Sequence, residues 1–343
     1  MIEETSILII YTGGTIGMIA DKETGALVPF NFDNINNQIP ELKRFNFTLD
    51  FHCFEPIMDS SNMDPVVWIE LGQIIKKNYE DYDGFVILHG SDTMAYTASA
   101  MSFILENLNK PVVFTGSQLP LGVLRTDGRE NLITSIEIAA AKDDDTPIVP
   151  EVCVYFENHL MRANRSTKYN AENFNAFVSG NLPLLADVGI YIKYNRNIIL
   201  KPNFKKLKVH EKMVTGVAVL KLFPGISKEF IIAFFKIVGL KGVVMESFGS
   251  GNAPSEPWFV NAIEEAIDLG VVILNVTQCI TGAVEHGKYE TSVLLEKAGV
   301  IGGGDITTEA ALTKLMYLFG KGIEREDVAK LLRKSLRGEL TIN

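Results

Sequence analysis

The chain reads as an α/β protein, with a larger N-terminal domain on a mainly parallel sheet with flanking helices and a smaller C-terminal α/β domain. Three observations predict this. Ile7-Leu8-Ile9-Ile10 and Phe85-Val86-Ile87-Leu88 are continuous apolar runs, the mark of strands buried on both faces. Each run feeds at once into glycine and hydroxyl residues, Thr12-Gly13-Gly14-Thr15 and Gly90-Ser91. Between the runs lie segments with helical spacing. Ligands of open parallel sheets bind outside the carboxyl ends of the strands, so both turns present a hydroxyl to one crevice.

Strand-like runs recur near 5–12, 84–89, 111–116, 149–156, 216–222, 242–247 and 270–276. Asp64-Pro65 opens a helix as N-cap and first helical residue, expected to run to about Tyr82. Met94, Thr97, Ala98, Met101, Leu105 and Leu108 share one face of a second helix. Ser255-Glu256-Pro257 opens a third, which Gly270 can end in the left-handed conformation. The alternation breaks near 190–212, where Gly189 to Leu200 resembles a small hairpin followed by a basic tract from Lys201 to Lys212. The expected division is therefore 1–190 as catalytic domain, 191–212 as hairpin and linker, and 213–343 as C-terminal domain.

Composition narrows the function classes. The chain is 47% hydrophobic and 22% charged, enough apolar residue for full cores and against disorder. A net charge of −10 disfavours nucleic acid as partner, because phosphate binding rests on lysine and arginine. The segment Met1-Ile2-Glu3-Glu4-Thr5 lacks the basic region of a signal peptide, and Phe230 to Leu240 is too short to span a bilayer and contains Lys236. Cys53, Cys153 and Cys279 are odd in number and far apart, as suits reduced thiols. A cytoplasmic protein with neither membrane nor nucleic-acid partner is expected.

Several chemistries lack their residues. Gly13-Gly14-Thr15-Ile16-Gly17 has neither the Gly-x-Gly-x-x-Gly spacing nor a following Gly-Lys-Ser/Thr, so no nucleotide fingerprint is met. The five histidines are scattered without ligand spacing, so no metal is expected. No Gly-x-Ser-x-Gly elbow supports a serine triad. Bland readings stand beside the functional ones: the glycines as a tight turn, Asp92 as a helix N-cap, His89 as a satisfied half-buried histidine, Lys168 as a surface charge. If Lys168 reaches Asp92, the two with a hydroxyl can form a relay that activates a threonine, itself a poor nucleophile near neutral pH.

Four ordered segments carry a resemblance: Thr12 to Gly17, Asp59-Ser60-Ser61-Asn62-Met63, His89 to Met94, and Arg162 to Lys168. In order and spacing they resemble the bacterial-type L-asparaginases, most of all the cytoplasmic type I branch. The likeness continues through Gly249-Ser250-Gly251-Asn252-Ala253-Pro254, Thr277-Gln278-Cys279 and Leu336 to Thr341. It implies hydrolysis of L-asparagine to L-aspartate and ammonia without a cofactor. It assigns Thr15 as nucleophile, Ser91, Asp92 and Lys168 as the relay, and Asp59, Ser60, Gly14 and Gly90 to substrate binding. It also implies a dimer or dimer of dimers in which Tyr289 is offered by the neighbouring chain.

Three positions depart from the pattern. Ser91 replaces the usual threonine, and Leu27 replaces a flap tyrosine found in many members. Glu246 replaces an arginine that, in allosteric type I members, helps bind a second asparagine near Cys279, so activation by asparagine is not expected. Two other readings compete: an amidotransferase subunit of the same family, which adds an N-terminal β-domain where this chain starts at its first strand, and a non-catalytic amino-acid sensor.

Overall fold

The computed structural model describes residues 5–20, 27–29, 39–285, 287 and 290–342. The chain forms two compact units, residues 1–210 and 211–343.

The first unit is built on an eight-stranded sheet. Its strands are β1 (Ser6–Tyr11), β2 (Thr48–Cys53), β3 (Gly84–Leu88), β4 (Val112–Thr115), β5 (Val152–Phe156), β6 (His159–Arg162), β7 (Ala186–Val188) and β8 (Ile192–Tyr194). The order across the sheet is 2-1-3-4-5-6-7-8, with the first five strands parallel and the rest antiparallel. Strands β1, β3, β4 and β5 are almost wholly buried, which explains their unbroken apolar runs.

Alternation along these strands divides their side chains between two layers. Ile7, Ile9, Tyr11, Val86, Leu88, Val113 and Tyr155 join one core with Leu132 and Ile136 of the helix Gly128–Ala140. The helices α1 (Pro65–Lys77) and α2 (Met94–Ile104) are tied to each other by the Trp68 indole N–H, which donates to Thr97 Oγ1 at 3.0 Å. In chain order Gly128–Ala140 is α3.

Local chemistry sets the element ends. Asp64 caps α1 by accepting from the Val66 and Val67 N–H groups. The helix stops at Lys77 rather than near Tyr82, because Asn78 turns its amide back onto the Ile74 carbonyl and Tyr79 stacks on Phe85. Helix α2 ends at Ile104 rather than reaching Leu108, because Leu105–Glu106 pairs antiparallel with Lys208–Val209 and Asn107 takes φ 63°. The hairpin near 190 is built from β7 and β8, with Gly189 and Tyr191 bonded across its turn. Beyond it, the Asn109 side chain accepts from the Asn203 and Phe204 N–H groups, so the basic tract is tied down within the first unit as far as His210.

The second unit has four parallel strands in chain order: β9 (Val217–Lys221), β10 (Gly242–Ser247), β11 (Val272–Thr277) and β12 (Ile301–Gly302). Val243, Met245 and Ile273 pack with Ile231 of α4 (Lys228–Phe235) and with Phe259 and Ile263 of α5 (Pro257–Asp268). Gly270 closes α5 at φ 97°, as its position after the helix implied. Helices α6 (Glu290–Lys297), α7 (Thr308–Gly320) and α8 (Arg325–Leu332) follow. Lys314 of α7 is wholly buried; its ammonium meets Glu339 Oε1 at 2.6 Å and donates to the Leu332 and Lys334 carbonyls. Glu339 also accepts from the Leu336 and Arg337 N–H groups, so neither buried charge lacks partners.

Candidate active site

In the strand order 2-1-3-4-5, the chain leaves β1 towards opposite edges of the sheet, and the crevice opens between the carboxyl ends of β1 and β3. The register places Tyr11 beside Leu88 and Leu88 beside Thr115, so three successive turns start at one level. Ladder bonds continue into those turns: the Thr12 N–H donates to Leu88 O, His89 N–H to Thr115 O, and Met58 N–H to Thr12 O, each at 3.0 Å. The segments the sequence singled out separately, 12–17, 59–63 and 89–94, therefore converge.

Glycine permits that convergence. Gly14 has φ 94°, in the region that side-chain-bearing residues avoid. A Cβ there would lie 2.5 Å from the Gly90 nitrogen and Cα, and a Cβ on Gly90 would lie 2.5 Å from Ser60 Oγ. Backbone thus touches backbone where the first two turns meet. Thr15 opens a single 3-10 turn, Thr15–Gly17, directly after Gly14 and is half-buried. The buried Tyr11 phenol donates to the Gly14 carbonyl at 3.1 Å, and burial pushes its pKa up, so it stays a neutral donor.

Asp59 precedes the short helix Ser60–Asn62. Its carboxylate accepts from the Ser61 N–H at 2.8 Å and the Ser61 hydroxyl at 2.7 Å, and these bonds hold its pKa below the usual carboxylate value. Ser60 is buried, and its carbonyl accepts from Thr93 Oγ1 at 2.7 Å, binding this segment to the second turn.

Lys168 does reach Asp92. It ends the short strand Ser166–Lys168, which pairs antiparallel with Phe177–Ser179. Its ammonium donates to Ser91 Oγ at 2.8 Å and to Asp92 Oδ1 at 2.6 Å. The lysine side chain is 16% exposed and the Asp92 side chain 71%, so the lysine is withdrawn from water and its partner is not. Asp92 is not the cap of α2; that position is Thr93, which makes no side-chain capping bond.

His89 differs from its expected half-buried, satisfied state. It is fully buried, its Nδ1 donates to the Gly90 carbonyl at 2.7 Å, and Nε2 has no hydrogen-bond partner among the described residues. Burial lowers its pKa to about 4, so it is neutral at pH 7 and, being enclosed, is not the site's general base.

Tyr289 lies outside the described residues. Among the described residues, no group of three His, Cys, Asp or Glu side chains is arranged to hold a metal ion. Glu246 is already occupied: Thr308 Oγ1 donates to Oε1 at 2.7 Å and the Lys221 ammonium lies 3.5 Å from Oε2. One neighbour of the relay had not been singled out. Gln118 places Oε1 3.5 Å from Ser91 Oγ. Its only signal is position, just beyond β4, the next strand whose carboxyl end faces the crevice.

The chain is similar to known proteins along nearly its whole length. The family model described as "Asparaginase, N-terminal" matches residues 6–200, and that of the "Glutaminase/Asparaginase C-terminal domain" matches 216–332. L-asparaginase 1 of Escherichia coli K12 is 44% identical over 342 residues, covering 99% of each chain. The mouse 60 kDa lysophospholipase is 42% identical over 366 residues, covering 99% of this chain and 63% of its own. The crystal structure of L-asparaginase I from Vibrio cholerae superposes with a TM-score of 0.90 at 41% identity, covering 99% of this chain and all of the other. With both domains matched and the likeness running the length of the chain, this protein belongs to the asparaginase family.

Proposed function

We propose that the chain hydrolyses L-asparagine to L-aspartate and ammonia, with Thr15 as nucleophile. The single observation that most supports the roles is the Lys168 ammonium bridging Ser91 and Asp92 beside the Gly14–Gly90 contact. Thr15 Oγ attacks the side-chain amide carbon; its proton passes to the Ser91 oxygen while Ser91 hands its own proton to Lys168, which accepts it as the free amine and is held in place by Asp92. Backbone N–H groups of the Gly90 turn receive the developing oxyanion, usually the largest electrostatic contribution. The tetrahedral intermediate collapses by breaking the C–N bond, a proton returns to the departing nitrogen, and ammonia leaves. Water then attacks the Thr15 ester; aspartate departs and the threonine hydroxyl is restored.

Asp59, ionised and exposed at the rim, suits the α-ammonium of the amino acid, and Ser60 with Gly14 suits its carboxylate. We place the reaction in the cytoplasm, in keeping with three free cysteines and no described helix long and apolar enough to cross a membrane. The working unit is a dimer or dimer of dimers, with Tyr289 of a neighbouring copy completing the pocket.

Ammonia release from L-asparagine, D-asparagine and L-glutamine, measured side by side on purified protein, tests the reading. L-asparagine should be the preferred substrate; no release from it refutes the assignment. Light scattering at assay concentration tests assembly, and an active monomer would refute the shared site.

A further inference from the structure

We propose that Gln118 is a positioning residue that selects the productive rotamer of Ser91, an inference resting on the asparaginase reading above. The Lys168 ammonium carries only hydrogens, so at 2.8 Å it makes Ser91 Oγ an acceptor. While Lys168 is protonated, the serine's own proton therefore points elsewhere, and it turns to the Lys168 nitrogen only when that amine is free; Gln118 keeps Oγ in the rotamer that serves both states. The Gln118 Nε2 donates to the backbone carbonyls of Asn173 at 2.9 Å and Ala171 at 3.4 Å. Carbonyls only accept, so those bonds fix the amide orientation and leave Oε1 facing Ser91 as the acceptor for its O–H.

Gln118 is itself anchored from behind. Its N–H donates to the Asp127 carboxylate, 2.9 Å from Oδ2, and the Leu119 N–H donates to Oδ1 at 3.1 Å. Asn131 holds the same loop by donating to the Gly116 carbonyl at 2.9 Å. Through one amide, Gln118 thus steadies both sides of the Lys168–Ser91 contact: the serine directly, and the loop that follows the lysine through residues 171 and 173.

The serine gives this restraint its purpose. Threonine's β-methyl stiffens χ1, whereas serine is free among three staggered wells. At 3.5 Å the Ser91–Gln118 contact is at the outer limit for O–H···O, so its effect should be a population bias rather than an all-or-none switch.

The test is a double-mutant cycle in the full-length enzyme, measuring kcat and KM for ammonia release from L-asparagine. Gln118→Met should lower kcat by at least about threefold as Ser91 spreads over its wells, with KM within about twofold. In a Ser91→Thr background the same change should cost less than about 1.5-fold, since the methyl supplies the restraint. Equal losses in both backgrounds, or no loss with serine present, would overturn the proposal. If thermal unfolding shows that methionine is not accommodated, Gln118→Ala is compared in the same two backgrounds. Failure of the broader reading is distinguishable, because a parent enzyme that releases no ammonia from asparagine removes both before Gln118 is changed.

Discussion

Replacing Lys168 with methionine separates chemistry from stability. Methionine keeps most of the buried aliphatic stem, so packing around a side chain only 16% exposed is largely retained. What disappears is the ammonium, with its bonds to Ser91 at 2.8 Å and Asp92 at 2.6 Å. Because Asp92 is 71% exposed, water replaces the lost partner, and the ion pair should contribute under about 1 kcal/mol to folding. Ser91 likewise remains beside Gln118. Catalysis has no such substitute. Positioned proton transfer contributes about 10²–10⁴-fold, or roughly 2.7–5.4 kcal/mol of barrier. Lys168→Met should therefore lose at least about a hundredfold in kcat while its urea midpoint barely moves. Ammonia release and urea unfolding on the same preparation give both numbers. A folded variant that retains more than about a tenth of parental turnover would refute the relay.

Thr15→Val keeps the shape and removes the hydroxyl; turnover should fall by several orders of magnitude with unfolding unchanged, and near-normal turnover would reject Thr15 as nucleophile. Ser91→Thr should be as active as the parent or up to about threefold better, while Ser91→Ala should be badly impaired; a fully active alanine variant would make the position structural. His89 has a folded pKa depressed from 6.5 to about 4, so the unfolded chain binds the extra proton between those values. Its neutral burial favours the native state fully above pH 6.5, and that contribution falls as pH drops towards 4, by about 3 kcal/mol in all. Urea unfolding at pH 7 and 4.5 should show a smaller loss in His89→Gln than in the parent; equal losses would contradict it. With Glu246 held by Thr308 and Lys221, initial rates should rise hyperbolically with asparagine; a sigmoid abolished by changing Glu246 or Cys279 would establish a second site.

The parallel strands of the first unit were legible because burial on both faces leaves an unmistakable apolar run, as in Ile7–Ile10 and Phe85–Leu88. Strand β2 was not, since on the sheet edge Thr48, Asp50 and His52 sit among apolar residues without forming a run. The ends of α1 and α2 lie short of the periodic pattern because the stacking of Tyr79 on Phe85 and the Glu106–Lys208 pairing act through tertiary partners that no local pattern displays, with Asn78 adding a local bond to the Ile74 carbonyl. At the site, the contact of Lys168 with Asp92 joins residues 76 positions apart. Its likelihood came from the family resemblance; its geometry came from the fold. Gln118 is an ordinary loop glutamine until β4 carries it to the crevice, and His89 gave no sequence sign that its second nitrogen would find no partner among the described residues.

The glycine contact between the first two turns restricts how this pocket can change. With no room for a Cβ on Gly14 or Gly90, that wall offers an incoming molecule only peptide groups, whose chemistry is the same whatever the sequence. Selection among amides of different length must therefore be written elsewhere along the rim, at Ser61, Gln118 and the loop after Lys168, where side chains can be exchanged. A library aimed at separating asparagine from glutamine turnover gains nothing at the glycines and should be spent on those rim positions.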